Sequence, residues 1–111
     1  MNMRSLASKA HAAESFLKAL ANKYRLMILC ELHKGEQNVG ALQKAVGLSQ
    51  SALSQHLARL REDKLVTTRR SAQTIYYSLA SPHVTKIIAL LYEFYCSPEC
   101  REPFKRKGKM R

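Results

Sequence analysis

Two short helical patterns divided by a single glycine, with a pair of β-forming runs directly after them, constrain this chain more than any other feature. Val39 to Val46 suits a short helix, and Gly47 closes it. Ser49 is a good N-cap, because its hydroxyl can accept from the orphan N–H groups of a following helix. Leu53, Leu57 and Leu60 then recur at spacings of four and three, which puts them on one helical face. Leu65 to Arg70 and Thr74 to Leu79 are rich in Val, Thr, Ile and Tyr and flank a polar Arg70-Ser71-Ala72-Gln73 turn, the pattern of a hairpin. A short helix, a glycine turn, a second helix with a polar exposed face and then a hairpin together predict a helix-turn-helix followed by a wing.

The flanking segments complete the architecture. Leu6 to Leu20 reads as a first helix, with Ala13, Phe16, Leu17 and Leu20 on one face. Asn22 can cap a second helix, whose Leu26, Met27, Ile28, Leu29 and Leu32 are apolar nearly all round and so belong in the core. Gly35 ends it. Ser81 and Pro82 begin a last helix carrying Val84, Ile87, Ile88, Leu91, Phe94 and Tyr95, which Pro98 stops. The expected fold is mainly α: a winged helix-turn-helix of five helices with one β-hairpin wing. It forms a single domain over residues 1–100, and residues 101–111 form a basic tail expected to be solvated and disordered.

Charge narrows the partners. With 111 residues the chain has room for one modest core, and its 46% hydrophobic content suits a globular fold. Lys+Arg at 19 against Asp+Glu at 8 gives a net charge of +11, which favours an anionic partner, nucleic acid or an anionic membrane surface. The segment from Arg101 to Arg111 holds six basic residues and one acid, Glu102, so the body keeps a net +6 of its own. As an alternative to simple solvation, that tail would add phosphate contacts without sequence preference. No apolar run approaches the roughly 20 residues that span a bilayer, and Met1 to Ala13 lacks the apolar centre of a signal peptide. A cytoplasmic location with reduced thiols is therefore expected.

On the fourth helix the two faces separate. Leu53, Leu57 and Leu60 face the core with Ala52 beside them, while Ser51, Ser54, Gln55 and Ala58 share the opposite face and Gln50 reaches it from the first turn. Short hydroxyls and glutamines suit a major groove, where Gln pairs bidentately with adenine. From Leu48 to Ala58 the helix is almost free of charge, unusual for a merely solvated face in so basic a chain. Gln50, Ser51, Ser54 and Gln55 are the candidate base readers, and Arg59 and Arg61 the candidate phosphate contacts. His56 suits helix packing or a phosphate better than a metal. Arg69, Arg70 and Gln73 at the wing would enter a minor groove or clamp phosphates; the alternative is a charged hairpin edge that deters strand pairing.

The stretch VGALQKAVGLSQSALSQHLARLREDKLVTTRRSAQTIYYSL, with ALANKYRLMIL before it, resembles the ArsR/SmtB family of bacterial winged-helix repressors. The resemblance implies a homodimer built on the first and last helices, bound to an imperfect palindrome near its own promoter. The long stripe from Val84 to Tyr95 also suits a dimer seam. Many members of that family sense metals, but the third helix carries no cysteine, and His11, His33, His56 and His83 are scattered singly. The last helix has His83 and Glu93 without the paired spacing of the zinc-sensing type. No metal site and no cofactor are expected.

The sequence contains three cysteines, Cys30, Cys96 and Cys100. The residues alone leave open whether Cys30 is a small buried hydrophobe and Cys96 an inert helix-end residue, or whether the two are redox-active. LMILCEL with the distal FYC resembles the HlyU/BigR/SqrR branch of the family, in which these positions carry a reactive dithiol. That resemblance implies that Cys30 and Cys96 sense oxidants or reactive sulfur species, and that a bridge between them weakens operator binding. Cys100 departs from the two-cysteine pattern; it would resolve a Cys96 intermediate, bind metal with Cys96, or have no role. An anti-silencing regulator and a low-specificity architectural DNA binder are the alternatives. An enzyme is not expected, since the sequence has no glycine-rich phosphate loop and no nucleophile–base motif.

Overall fold

Short polar side chains set the helix starts in the computed structural model, which describes residues 2–95. Asn2 Oδ1 accepts from Ser5 N at 2.7 Å and starts α1 (Met3–Leu20), earlier than its apolar spacing suggested. Asn22 accepts from Tyr24 N and Arg25 N at the head of α2 (Lys23–His33). Asn38 accepts from Ala41 N to start α3 (Val39–Val46), and Ser49 Oγ accepts from Ala52 N to start α4 (Gln50–Glu62). Ser81 Oγ accepts from Val84 N beside Pro82, the first residue of α5 (Pro82–Tyr95). Each cap supplies an acceptor to a backbone donor that no intrahelical carbonyl can reach. Cys96, Pro98, Cys100 and the 101–111 tail lie outside the described residues, so the expected stop at Pro98 and the boundary at residue 100 fall there too.

Gly47 and Lys64 end their helices in left-handed backbone. Gly47 (φ 78°, ψ 30°) closes α3 and donates its N–H to Gln43 O at 2.9 Å. At the end of α4 the left-handed residue is Lys64 (φ 63°). Leu65 N donates to Leu60 O, and Lys64 N to Arg61 O, the paired bonds of a Schellman ending. Leu65 and Leu60 are both buried, so the motif's usual apolar contact stands in for the missing glycine in holding the turn.

β2 (Val66–Ser71) and β3 (Thr74–Leu79) form the expected hairpin, one residue offset at its start. Ser71 pairs with Thr74, leaving Ala72 and Gln73 as a two-residue loop with Ala72 at φ 56°. The structure adds a strand that the sequence did not reveal, β1 (Gln37–Asn38). It pairs antiparallel with Tyr77 and Tyr76 and makes the sheet three-stranded in the order β1-β3-β2.

The core joins all the elements except β1. Ile28 and Leu29 of α2, Leu42 of α3, Leu53, Leu57 and Leu60 of α4, Leu65, and Ile88 of α5 are essentially inaccessible. Each such burial is worth about 1.5–3 kcal/mol. Helix α2 is less central than its composition implied, because Met27 remains 37% exposed. Of α1, only Ala19 and Leu20 are buried, while Leu6 and Leu17 face outward with Ala10 and Ala13 in a shallow apolar depression. Ile87 and Leu90 of α5 are also exposed.

Candidate nucleic-acid interface

The burial pattern of α4 sets which of its side chains can meet a ligand. Leu53, Leu57 and Leu60 are inside, so Gln50, Ser51, Ser54, Gln55 and Ala58 must project outward, and all five are exposed. A groove runs along one flank of this face, lined by Ser54, Ala58, Arg61 and Glu62 of α4 and by Tyr77 of β3. The recognition face and the inner side of the wing therefore border one concavity.

Strand parity sorts the wing residues. Tyr77 and Leu79 pack against the core, so their cross-strand partners Thr68 and Val66 share that inner face, and the pair Arg70–Ile75 continues it toward the tip. Arg69 and Tyr76 belong to the outer face. Arg70 and Gln73 are exposed at the end of the hairpin, on the α4 side and at the turn respectively. Arg69 is engaged elsewhere: its Nε and Nη2 donate to the two carboxylate oxygens of Glu36 at 2.9 and 2.7 Å. The Arg69 guanidinium beside Glu36 holds that carboxyl below the usual carboxylate range, and the same hydrogen bonds raise the Arg69 pKa.

His56 is half-buried, with its ring centroid 6.0 Å from that of Tyr24 on α2. This is the helix-packing position, and it draws the head of α2 alongside α4. Lys23 Nζ lies 5.4 Å from the ring centroid of the same Tyr24. Sequence reasoning missed Lys23 and Glu36. Lys23 carries no local pattern, and the partner of Glu36 lies 33 residues away. Arg59 forms an i,i+4 pair with Asp63 at 3.4 Å, which leaves Arg61 as the α4 arginine nearest the groove.

Away from this surface, Cys30 lies on α2 beside a cavity of about 480 Å³ between α2, α3 and α5. Leu26, Met27, Val46, Leu91, Tyr92 and Tyr95 contribute most of its apolar lining. Tyr95 immediately precedes Cys96, which itself lies outside the described residues. Among the described residues, no three His, Cys, Asp or Glu side chains gather into a group able to hold a metal ion. No described helix is long and apolar enough to cross a membrane.

Comparison with known proteins agrees with this geometry. The family model for bacterial regulatory proteins of the arsR family matches residues 22–68, from the cap of α2 into β2. The transcriptional activator HlyU of Vibrio cholerae is 50% identical over 96 residues, covering 86% of this chain and 89% of that protein. The biofilm growth-associated repressor of Xylella fastidiosa is 35% identical over 99 residues, covering 89% of this chain and 87% of that one. The solved structure of reduced HlyU from Vibrio cholerae superposes with a TM-score of 0.81 at 48% identity, covering 86% of this chain and all of that chain. A helix-turn-helix with a hairpin wing and likeness at this level over nearly the whole described chain lead to one conclusion: the chain belongs to the ArsR family of winged-helix, DNA-binding transcriptional regulators, which are not enzymes.

Proposed function

We propose that this chain is a cytoplasmic, homodimeric repressor that reads an imperfect palindrome and releases it when a Cys30–Cys96 dithiol is oxidised or sulfurated. Gln50, Ser51, Ser54 and Gln55 contact base edges. Arg59 and Arg61 lie toward the phosphates, His56 holds α4 against α2, and Arg70 and Gln73 of the wing meet the adjacent minor groove. The dimer pairs α1 and α5, whose Leu6, Leu17, Ile87 and Leu90 are exposed and apolar. The observation that carries the sensing half is the shared cavity: Tyr95, the residue before Cys96, lines the same apolar space as Cys30.

The chemistry of the proposed pair is ordinary thiolate chemistry. With peroxide, one thiolate attacks an oxygen, expels hydroxide and becomes a sulfenic acid. The second thiolate attacks that sulfur, expels a second hydroxide and closes a disulfide; peroxide has taken both electrons. With a polysulfide, one thiolate attacks a sulfur and expels a shorter polysulfide, leaving a hydropolysulfide on the cysteine. When the second thiolate attacks a hydrotrisulfide and expels hydrosulfide, one extra sulfur stays in the bridge. A bridge from Cys30 on α2 to Cys96, the residue that follows α5 in sequence, would tie the core to the dimer seam and alter the separation of the two α4 helices.

Peptide mass spectrometry after separate polysulfide and peroxide treatment, paired with DNA binding, tests this reading. Linked Cys30 and Cys96 peptides together with loss of DNA support it, and Cys30→Ser should bind DNA and ignore both reagents. Unlinked thiols under both treatments refute the switch. A second reading, activation by displacing another DNA-bound protein, is favoured by the relative named as a transcriptional activator. Reporter output from a minimal promoter separates the two: repression needs no other protein, whereas activation of this kind requires the silencer.

A further inference from the structure

The outer face of the sheet carries a row of side chains that the DNA-reading surface does not use. Asn38 of β1, Tyr76 of β3 and Arg69 of β2 stand side by side. This is the last rung with three strands. Beyond it, from Arg70–Ile75 to Ser71–Thr74, the wing continues as two strands alone. A two-stranded ribbon twists readily and is marginal by itself, so whatever fixes the last three-stranded rung fixes where the wing tip points.

Arg69 spans this rung. Its guanidinium lies 4.7 Å from the Tyr76 ring centroid and reaches on to Glu36, which it grips through both carboxylate oxygens. Stacking and a forked ion pair together fix the plane of the guanidinium, which a lysine would not do. Glu36 in turn is held at the end of α2. Gly35 before it takes φ 143°, and Gln37 after it donates Nε2 to Glu31 O at 2.7 Å.

We propose that Glu36 and Arg69 form a strap across the sheet that sets the angle of the wing against the α2–α4 body. Both are thus positioning residues for DNA binding, and Arg69 is not a phosphate contact. The proposal rests on the wing's entry into DNA argued above. The lowered pKa of Glu36 extends the charged form of the strap below the ordinary carboxylate range.

The test uses the full chain and two duplexes: one selected by the wild-type protein from a random pool, and a scrambled duplex of equal length. Fluorescence anisotropy is read over a range of salt. Glu36→Gln and Arg69→Gln should each weaken binding to the selected duplex by about two- to fivefold. The double variant should lose no more than either single one, the salt slope should stay unchanged, and Glu36→Arg combined with Arg69→Glu should restore affinity. If Arg69→Gln lowers the slope by about 1.8, about 0.9 for each protomer of the dimer, while Glu36→Gln tightens binding, Arg69 is a phosphate contact restrained by Glu36 and the strap is wrong. Additive losses, or no change in either single variant, overturn it as well. If the pool yields no enriched sequence, the DNA-reading surface fails, and the strap loses its purpose with it.

Discussion

Ser49 occupies a position where the stability of α4 and its proposed approach to DNA can be separated. Its hydroxyl accepts from Ala52 N at 3.2 Å, a long bond, so Ser49→Ala should cost about 0.5–1 kcal/mol, the lower part of the range for lost N-caps. Unfolding entropy of about 2.1 cal/mol/K per residue gives roughly 0.23 kcal/mol/K for this chain, so the melting temperature should fall by about 2–4 °C. Ser49→Asp keeps the acceptor and adds a negative charge to the positive end of the helix dipole, so it should melt at or above the wild-type temperature. On DNA the order reverses. A carboxylate about 6 Å from a phosphate in water costs about 0.7 kcal/mol, close to threefold, and two half-sites make that about tenfold. The measurements are calorimetric melting at fixed protein concentration and anisotropy on the selected duplex at low and high salt. Salt should erase much of the Ser49→Asp deficit and little of the Ser49→Ala deficit. Full DNA affinity in a stable Ser49→Asp protein would show that the head of α4 does not face the phosphates, and the reading surface would have to be moved.

Two further outcomes are expected. Leu90→Glu places a charge on a side chain that is 50% exposed, so the folded chain should tolerate it while sedimentation shows a monomer; an intact dimer would remove α5 from the seam. The strap should resist acid. Glu36 has a depressed folded pKa, so its contribution is complete above the ordinary carboxylate pKa and disappears only as pH falls through the lower folded value. The Arg69 Nε–H resonance should therefore hold still from pH 7 to pH 5, and a titration within that window would contradict the pairing.

Most of the fold was legible because its signals are local. Leu53, Leu57 and Leu60 fixed the buried face of α4, and with it the outward set from Gln50 to Ala58. The Asn22, Ser49 and Ser81 caps and the Gly47 stop were readable for the same reason: a cap is chemistry between residues two to four positions apart. β1 was not readable. Two residues have no periodicity, and Gln37–Asn38 becomes a strand only because the Tyr76–Tyr77 edge of β3 needs partners there. Asn38 also serves as the cap of α3, so its side chain and its backbone answer to different neighbours. The roles of Arg69 and Arg70 were equally hidden. Adjacent in sequence and alike in charge, they part only when strand parity assigns opposite faces and a distant carboxylate claims one of them.

That division bears on how a protein with so large a positive charge can still choose a sequence. Cations along a DNA-facing surface raise affinity for every duplex alike, and they do not discriminate. Here α4 presents hydroxyls, amides and a methyl on its outward face up to Ala58, and its arginines come only after that. Arg59 is paired with Asp63, and Arg69 with Glu36. One cation of α4 and one of the wing are thus partly neutralised, while Arg61 borders the groove beside the α4 face. A helix that holds charge at its margins and uncharged donors and acceptors at its centre leaves more of the binding free energy to the bases. One such helix would bury too little surface to hold DNA against salt, whereas two joined along α1 and α5, as in the proposed dimer, would double the contacts and require their spacing to match the site. On the proposed reading, selectivity in this chain depends as much on what holds the helices and the wing in place as on the side chains that touch a base.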